Sequence, residues 1–109
     1  MTSKSVRYKQ WLRTKELHPE QLKDGFVYII KLSNDIYKIG RTVDLLKRLS
    51  SFRTSHIGAK FVWSAHVIDM VEAEKILHKV FGYRLLEREM FALQPKDIRR
   101  ADKIINLYR

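Results

Sequence analysis

The chain has 109 residues, 45% of them hydrophobic and 11% aromatic, so one domain with a real core is expected and a wholly disordered chain is excluded. Its 22 Lys and Arg against 12 Asp and Glu give a net charge of +10, which favours nucleic acid as a partner. The absence of Cys excludes disulfides, thiolate metal sites and Cys nucleophiles.

Residues 1–23 form a basic N-terminal extension, predicted to be helical over residues 4–17. This segment holds six Lys and Arg against two acidic residues. His18-Pro19 ends the helix, because a residue before Pro avoids the helical region. No apolar run approaches the ~20 residues that span a bilayer, and no signal peptide is visible. A membrane is therefore not expected as a partner, although Trp11 among basic residues keeps a membrane-surface helix as an alternative.

Two strands are predicted next. Residues 26–32 are rich in β-branched and aromatic side chains, which is typical of a strand. A turn at residues 33–35 leads to a second strand over residues 36–39, which Gly40 ends. The pair is expected to form a hairpin.

The second helix is predicted over residues 43–52, with Thr42 as its N-cap. Its buried side is expected to consist of Val43, Leu45, Leu46, Leu49 and Phe52. A polar loop over residues 53–59 and a third strand over residues 61–68 follow.

Two more helices are predicted in the last third of the chain. Asp69 and Glu72 have the spacing of a capping box for a helix over residues 70–81, which Gly82 closes. Residues 90–93 predict a short strand or a turn, and residues 95–107 predict a last helix opened by Pro95. The expected fold class is α/β (α+β), with a small three-stranded antiparallel sheet flanked by helices. Residues 24–93 are its central domain, and residues 94–109 are a basic helix packed on it.

Three ionisable residues stand at unusual positions in these elements. Counted at ~100° per residue, Glu74 lies at the edge of the apolar side of its helix, with His78 one turn on. A buried carboxylate needs a cation or a metal, so two alternatives stay open: a Lys or Arg from a neighbouring element, or a metal ion. Lys38 shares a strand face with Ile36 and Gly40, which indicates open space or an anion.

Five short motifs occur in order at matching spacing, and together they resemble the GIY-YIG nuclease family over residues 25–93. Val27-Tyr28 stands at the first motif and Lys38-Ile39-Gly40 at the second. Arg48 lies ten positions after Lys38, and Glu74 lies on the helix after the third strand. The sequences Glu74-Lys75-Ile76-Leu77-His78 and Arg88-Glu89-Met90-Phe91 resemble a short phage and virus branch, with KIG in place of YIG, that is often labelled a DNA-binding domain.

The resemblance implies a role for each matching residue. Glu74 would be the ligand of a Mg²⁺ (or Mn²⁺) ion, Arg48 would face the phosphate, and Tyr28 would orient or deprotonate the attacking water. Lys38 is expected to lower the pKa of Tyr28. His56 and His78 are further catalytic candidates for proton transfer.

Two departures from the family pattern bear on catalysis. Lys38 replaces the second tyrosine, and Phe52 stands where the family has a proton-carrying aromatic residue or His. These departures favour binding over cleavage, whereas Tyr28, Arg48 and Glu74 together favour an enzyme.

The predicted function is therefore a metal-dependent DNA endonuclease. The alternatives are a non-catalytic DNA-binding module on the same fold, or a phage or virus structural or assembly protein that contacts nucleic acid. Double-stranded DNA bound with weak sequence specificity is the expected partner, and a homodimer or a protein partner could add specificity. The expected location is intracellular, in the cytoplasm of a bacterial host or in the nucleus or virus factory. The predicted DNA-binding residues are Arg41, Lys47, Arg53, Arg7, Lys9 and Arg13.

Overall fold

The structure is a computed structural model that describes residues 3–109, with side chains described from residue 6 onward. The helices are α1 (Ser3–Leu17), α2 (Leu45–Arg53), α3 (Met70–Val80) and α4 (Pro95–Ile105). The strands are β1 (Gly25–Ser33), β2 (Ile36–Thr42), β3 (Lys60–Val67), β4 (Leu85–Glu87) and β5 (Met90–Phe91). Within this described part, none of the helices has the length and apolar character that crossing a membrane requires.

The strands form one antiparallel sheet in the order β3-β1-β2-β5-β4. The α+β class is thus confirmed, but the prediction of three strands is wrong, since the sheet formed by residues 3–109 has five. The two additional strands form a hairpin on the outer side of β2, where Tyr37 pairs with Phe91 and Lys38 with Met90. Strands of two and three residues are too short to show an alternating pattern, which is why the sequence did not reveal β4.

Strand β1 lies in the middle of the core and is buried on both faces. Val27 and Ile29 belong to the larger apolar cluster, together with residues of α3 and α4. Tyr28 and Ile30 belong to a second cluster that includes apolar residues of α2. This two-sided burial explains the nearly continuous apolar run of β1, which is typical of a strand covered on both faces.

Helix α2 begins later than predicted. Its N-cap is Asp44, whose Oδ1 accepts a hydrogen bond from the backbone N–H of Lys47 at 3.0 Å. Thr42 ends β2 instead, and its hydroxyl accepts a hydrogen bond from the Asp44 N–H at 3.1 Å. The predictions that Thr42 caps the helix and that Val43 and Leu46 face the core are therefore wrong. These two side chains are 71% and 81% exposed.

Helix α3 begins as predicted, with Asp69 as N-cap accepting from the backbone N–H of Glu72 at 3.4 Å. The helix ends at Val80, two residues before Gly82. Helix α4 starts at Pro95 as predicted, but it passes into a 3₁₀ turn at Asn106–Tyr108 instead of continuing to residue 107. Both helices thus follow their capping signals closely.

Helix α1 packs against the start of α3. Trp11 is only 6% exposed, and its Nε1 donates a hydrogen bond to Oδ2 of Asp69 at 2.8 Å. Its ring also contacts that of Tyr108, with 4.7 Å between centroids. Arg7 forms an ion pair with Glu72, at 2.8 Å between Nε and Oε2. The basic N-terminal helix is therefore part of the folded domain.

We expect Trp11→Ala to lower the free energy of unfolding by about 3–5 kcal/mol, the usual cost of truncating a buried aromatic residue. The substitution also leaves the Asp69 carboxylate without its indole donor. Urea denaturation measures the change. Leu17→Ala is the matched control, because Leu17 lies in the same helix and is exposed. An equal, small effect of both substitutions would contradict the packing of α1 on α3.

Candidate functional site

A polar cleft of about 240 Å³ opens where β1 and β2 face α2 and α3. It brings together residues from five separate parts of the chain, far apart in sequence. The lining residues are Tyr28, Lys38, Gly40, Arg41, Arg48, Glu74 and Glu89. Four of the six predicted catalytic residues, namely Tyr28, Lys38, Arg48 and Glu74, therefore meet in one place.

Tyr28 lies directly opposite Gly40 in the β1–β2 pairing. Its ring is 1% exposed and packs edge-on against Phe61, with 5.2 Å between centroids. A Cβ atom on Gly40 would lie 2.5 Å from the Tyr28 hydroxyl oxygen, which no real contact tolerates. Position 40 therefore has to be Gly, because the phenol crosses directly over its Cα to reach the cleft.

Burial raises the pKa of Tyr28 to about 12. The Arg48 charge lowers this pKa by less than burial raises it, and the charges of Glu89 and Glu74 act in the same direction as burial. The expectation that Lys38 lowers this pKa is wrong, because the Lys38 ammonium is paired with Glu89. At neutral pH the Tyr28 side chain is thus a neutral phenol. It can donate or accept a hydrogen bond, but it is too weakly acidic to serve as a ready-made phenolate base.

Two ion pairs cross the cleft. Nη1 of Arg41 contacts Oε1 of Glu74 at 2.5 Å, and Nζ of Lys38 contacts Oε2 of Glu89 at 2.9 Å. The hydrogen bond from Lys38 is the main reason why the pKa of Glu89 is lowered. The Glu74 side chain is 12% exposed. Of the two alternatives for this carboxylate, the structure shows a cation from a neighbouring strand.

Arg48 differs from the other two cations of the cleft. Its side chain is exposed, and within residues 6–109, whose side chains the structure describes, it forms no ion pair with a carboxylate. The cleft holds three cations, Lys38, Arg41 and Arg48, against the two carboxylates. One positive charge is therefore uncompensated, and the guanidinium of Arg48 carries it.

The donor atoms of Glu74, His78 and Glu89 lie within 4.8 Å of one another, close enough to share a cation. Nε2 of His78 lies 2.8 Å from the carbonyl oxygen of Ile39. Because a carbonyl only accepts, Nε2 carries the proton and donates it, which fixes the ring orientation. Carboxylate oxygens are the ligands that Mg²⁺ prefers, so Glu74 and Glu89 have the donor chemistry for a divalent ion once Arg41 and Lys38 are displaced from them.

The other predicted site residues lie outside the cleft lining. His56 follows α2 on an exposed loop, with its Nδ1 3.3 Å from the Ser55 hydroxyl, so the structure does not bring it to the catalytic candidates. Nε of Arg53 donates to the carbonyl of Ala59 at 3.0 Å, and Arg7 is paired with Glu72. The side chains of Lys9, Arg13 and Lys47 are exposed.

Glu89 is the site residue that the sequence did not assign. It lies in the turn between β4 and β5, directly after Arg88, whose φ of 52° is in the left-handed region. Its backbone carbonyl accepts a hydrogen bond from the Ile39 N–H at 3.3 Å, which ties the turn to β2. The Arg88-Glu89-Met90-Phe91 motif was the available signal, but it could not show which of its residues faces the site.

Two buried tyrosines make stability depend on pH in the alkaline range. Burial raises the pKa of Tyr28 and that of Tyr108 to about 12, against the ordinary value of 10.0. Above pH 10 the unfolded chain therefore binds fewer protons than the folded one, and the free energy of unfolding falls as pH rises. The expected slope is about 1.4 kcal/mol per pH unit for each tyrosine.

Urea denaturation between pH 10 and 12, the range between the ordinary and the raised pKa, measures this slope. Tyr28→Phe and Tyr108→Phe should each lower the slope of the free energy of unfolding against pH by the contribution of one tyrosine. A slope that neither variant reduces would show that the two phenols ionise equally easily in both states.

The protein is thus a small α+β domain with a polar, cation-rich cleft beside the β1–β2 pair. Residues 25–109 match the T5orf172 domain, and the chain belongs to that family. It is a domain of phage-associated and endonuclease-related proteins, which makes the chain a nuclease-like or DNA-binding module. The match runs from β1 to the last residue and leaves α1 outside it. No curated protein and no solved structure matches the chain.

Proposed function

We propose that the protein is a metal-dependent DNA endonuclease that hydrolyses phosphodiester bonds at the cleft, with a GIY-YIG-type single-metal site. The observation that carries the proposal is the meeting of Tyr28, Arg48 and Glu74 in one polar cleft. A hydroxyl, a guanidinium and a carboxylate are the groups that water-mediated phosphoryl transfer needs.

Arg48 is the group that faces the phosphate. Its exposed guanidinium has no carboxylate partner in the described part of the chain, so it can bind two phosphoryl oxygens without breaking an ion pair. The transition state carries more charge on these oxygens than the ground state, and the guanidinium of Arg48 therefore stabilises it preferentially.

Tyr28 orients the attacking water. Its pKa of about 12 keeps the phenol protonated at neutral pH, so the hydroxyl positions water by hydrogen bonding and a different group takes up the proton. The Tyr28 ring packs closely over Gly40, and this packing fixes the direction of the hydroxyl. Proximity and orientation are the contributions of this residue.

Glu74 is the proposed ligand of Mg²⁺ or Mn²⁺. When bound, the ion lowers the pKa of a water and neutralises phosphoryl charge. Glu74 is paired with Arg41, so Arg41 has to move onto a phosphate oxygen or into solvent before the carboxylate is free. Lys38 holds Glu89 in the same way at the other side of the cleft.

A DNA-binding module without cleavage is the second candidate. Its supporting observation is that both carboxylates of the cleft are already paired with cations. Phe52 also places a side chain without a transferable proton beside Tyr28, with 6.2 Å between the ring centroids. In this case Arg48 and Arg41 bind phosphate, and no hydrolysis follows.

Plasmid nicking with Mg²⁺, with Mn²⁺ and with EDTA tests the two candidates, with DNA affinity measured in parallel by fluorescence anisotropy. The endonuclease should nick supercoiled plasmid with either metal and leave it intact in EDTA. DNA binding without nicking in any metal would identify the binding module. A Glu74→Gln preparation, purified in the same way, controls for contaminating nucleases.

A further inference from the structure

A second groove of about 340 Å³ adjoins the cleft and shares Arg48 with it. It runs along the start of α2 and the end of β2. Its lining residues are Thr42, Val43, Asp44, Lys47, Arg48 and Ser51. The two depressions are thus one continuous surface with Arg48 at the border.

Some polar groups of this groove have hydrogen-bond partners within the protein, and others do not. Asp44 caps α2 through the Lys47 N–H, and the Thr42 hydroxyl is bonded to the backbone of Asp44. The Lys47 ammonium and the Ser51 hydroxyl have no partner in the part of the chain that the structure describes. They lie four positions apart and therefore face the same side of α2. The unused groups are a cation and a hydroxyl, a pair that suits a phosphate.

The wall of the groove is apolar at one point. Val43 lies between the end of β2 and the start of α2, is 71% exposed, and packs in neither of the two apolar clusters. An exposed apolar side chain beside a cation matches a nucleotide, whose sugar is mostly apolar on its faces and whose phosphates are charged. Each side of the cleft carries one carboxylate, Asp44 in this groove and Glu89 on the opposite side. What favours the groove is its cation, because the ammonium of Lys47 has no partner in the described part of the chain, whereas Lys38 on the opposite side is paired with Glu89.

We propose that this groove binds the nucleotide next to the phosphate held at Arg48. Lys47 and Ser51 bind the further phosphate of that nucleotide, and Val43 contacts its sugar. The inference rests on the proposed function in one respect, namely that Arg48 holds the phosphate that is cleaved. It assigns the groove as the path by which one DNA strand leaves the cleft.

The probe is thymidine 3′,5′-bisphosphate, which has two phosphates on one sugar, compared with inorganic phosphate alone. Amide shifts of ¹⁵N-labelled protein report where each probe binds. The bisphosphate should shift the amides of Val43, Arg48, Lys47 and Ser51, and inorganic phosphate should shift the surroundings of Arg48 alone. The bisphosphate should bind roughly tenfold more tightly, since it gains one charge-assisted contact.

Lys47→Ala should remove this advantage while leaving the affinity for inorganic phosphate unchanged. Lys60→Ala is the matched control, because it removes one exposed Lys from β3 and should preserve the advantage. Val43→Ser, an exposed change, should weaken binding of the bisphosphate but not of phosphate. Equal affinities for both probes, or groove amides that do not move with the bisphosphate, would overturn the proposal.

The titration does not depend on cleavage, so the two proposals can fail separately. Binding of the bisphosphate across both depressions without plasmid nicking would reject the endonuclease and keep the groove as a nucleotide site. Nicking by a protein whose groove amides stay unchanged would reject the groove alone.

Discussion

Glu74→Gln is expected to reduce metal-dependent nicking by more than about 10²-fold, since metal assistance supplies several kcal/mol of transition-state stabilisation. Gln keeps the size of the side chain but loses the negative charge that holds a divalent ion. DNA affinity should stay nearly the same or rise slightly, because Arg41 loses its carboxylate partner and becomes available to a phosphate. Nicking rates and anisotropy measured on the same preparation separate the two effects.

Glu72→Gln is the matched control for this substitution. Glu72 lies two positions away on α3 and pairs with Arg7, outside the cleft lining. This variant should nick at the wild-type rate and lose only some stability. Undiminished nicking by Glu74→Gln would reject Glu74 as the ligand, and Glu89, whose donor atoms lie in the same cluster, would be tested next.

The parts of the fold that the sequence predicted are those whose signal is local. The strand pattern of residues 26–32 predicted β1, and Asp69 and Pro95 marked the starts of α3 and α4. The predicted buried side of α2 was wrong at the start of the helix. Asp44, not Thr42, caps the helix, so Val43 lies outside it. Capping is decided by a few hydrogen bonds, and two adjacent residues of capping type cannot be ranked by periodicity.

Only the site residues that lie in recognisable motifs could be predicted from the sequence. Motif spacing indicated Tyr28, Arg48 and Glu74, and the structure brings all three to one cleft. The pairing of Arg41 with Glu74 joins residues 33 positions apart, so no local pattern could show it. The raised pKa of Tyr28 likewise follows from burial between elements, whereas the sequence suggested only a neighbouring Lys.

The packing of α1 on the domain could not be predicted from the sequence either. Its scattered apolar positions gave no clear stripe, and its charge suggested contact with DNA. The burial of Trp11 depends on Tyr8 and Tyr108, which stack around it from the same helix and from the end of the chain. Such a cluster forms only when the two ends of the chain meet over α3.

Arg48→Ala is expected to lower the nicking rate by about 10²-fold or more, judged from the removal of one preorganised donor in other enzymes. The binding loss should be small, at most one phosphate contact, which is a change of about 0.9 in the slope of log K against log salt. Arg48 is the cation of the cleft that has no carboxylate partner among residues 6–109, so its charge is available to the substrate. Nicking rates at saturating DNA and anisotropy at several salt concentrations measure both quantities.

Two further substitutions separate charge from geometry at this position. Arg48→Lys keeps the charge but loses the planar fork, so an intermediate rate is expected if two oxygens are held at once. Arg99→Ala removes one exposed cation from α4 and should leave the rate unchanged. A rate at saturating DNA that stays at the wild-type level in Arg48→Ala, with only weaker binding, would mean that Arg48 holds ground state and transition state equally. Arg48 would then be a DNA-binding residue, and the cleft would need another group to stabilise the phosphoryl charge.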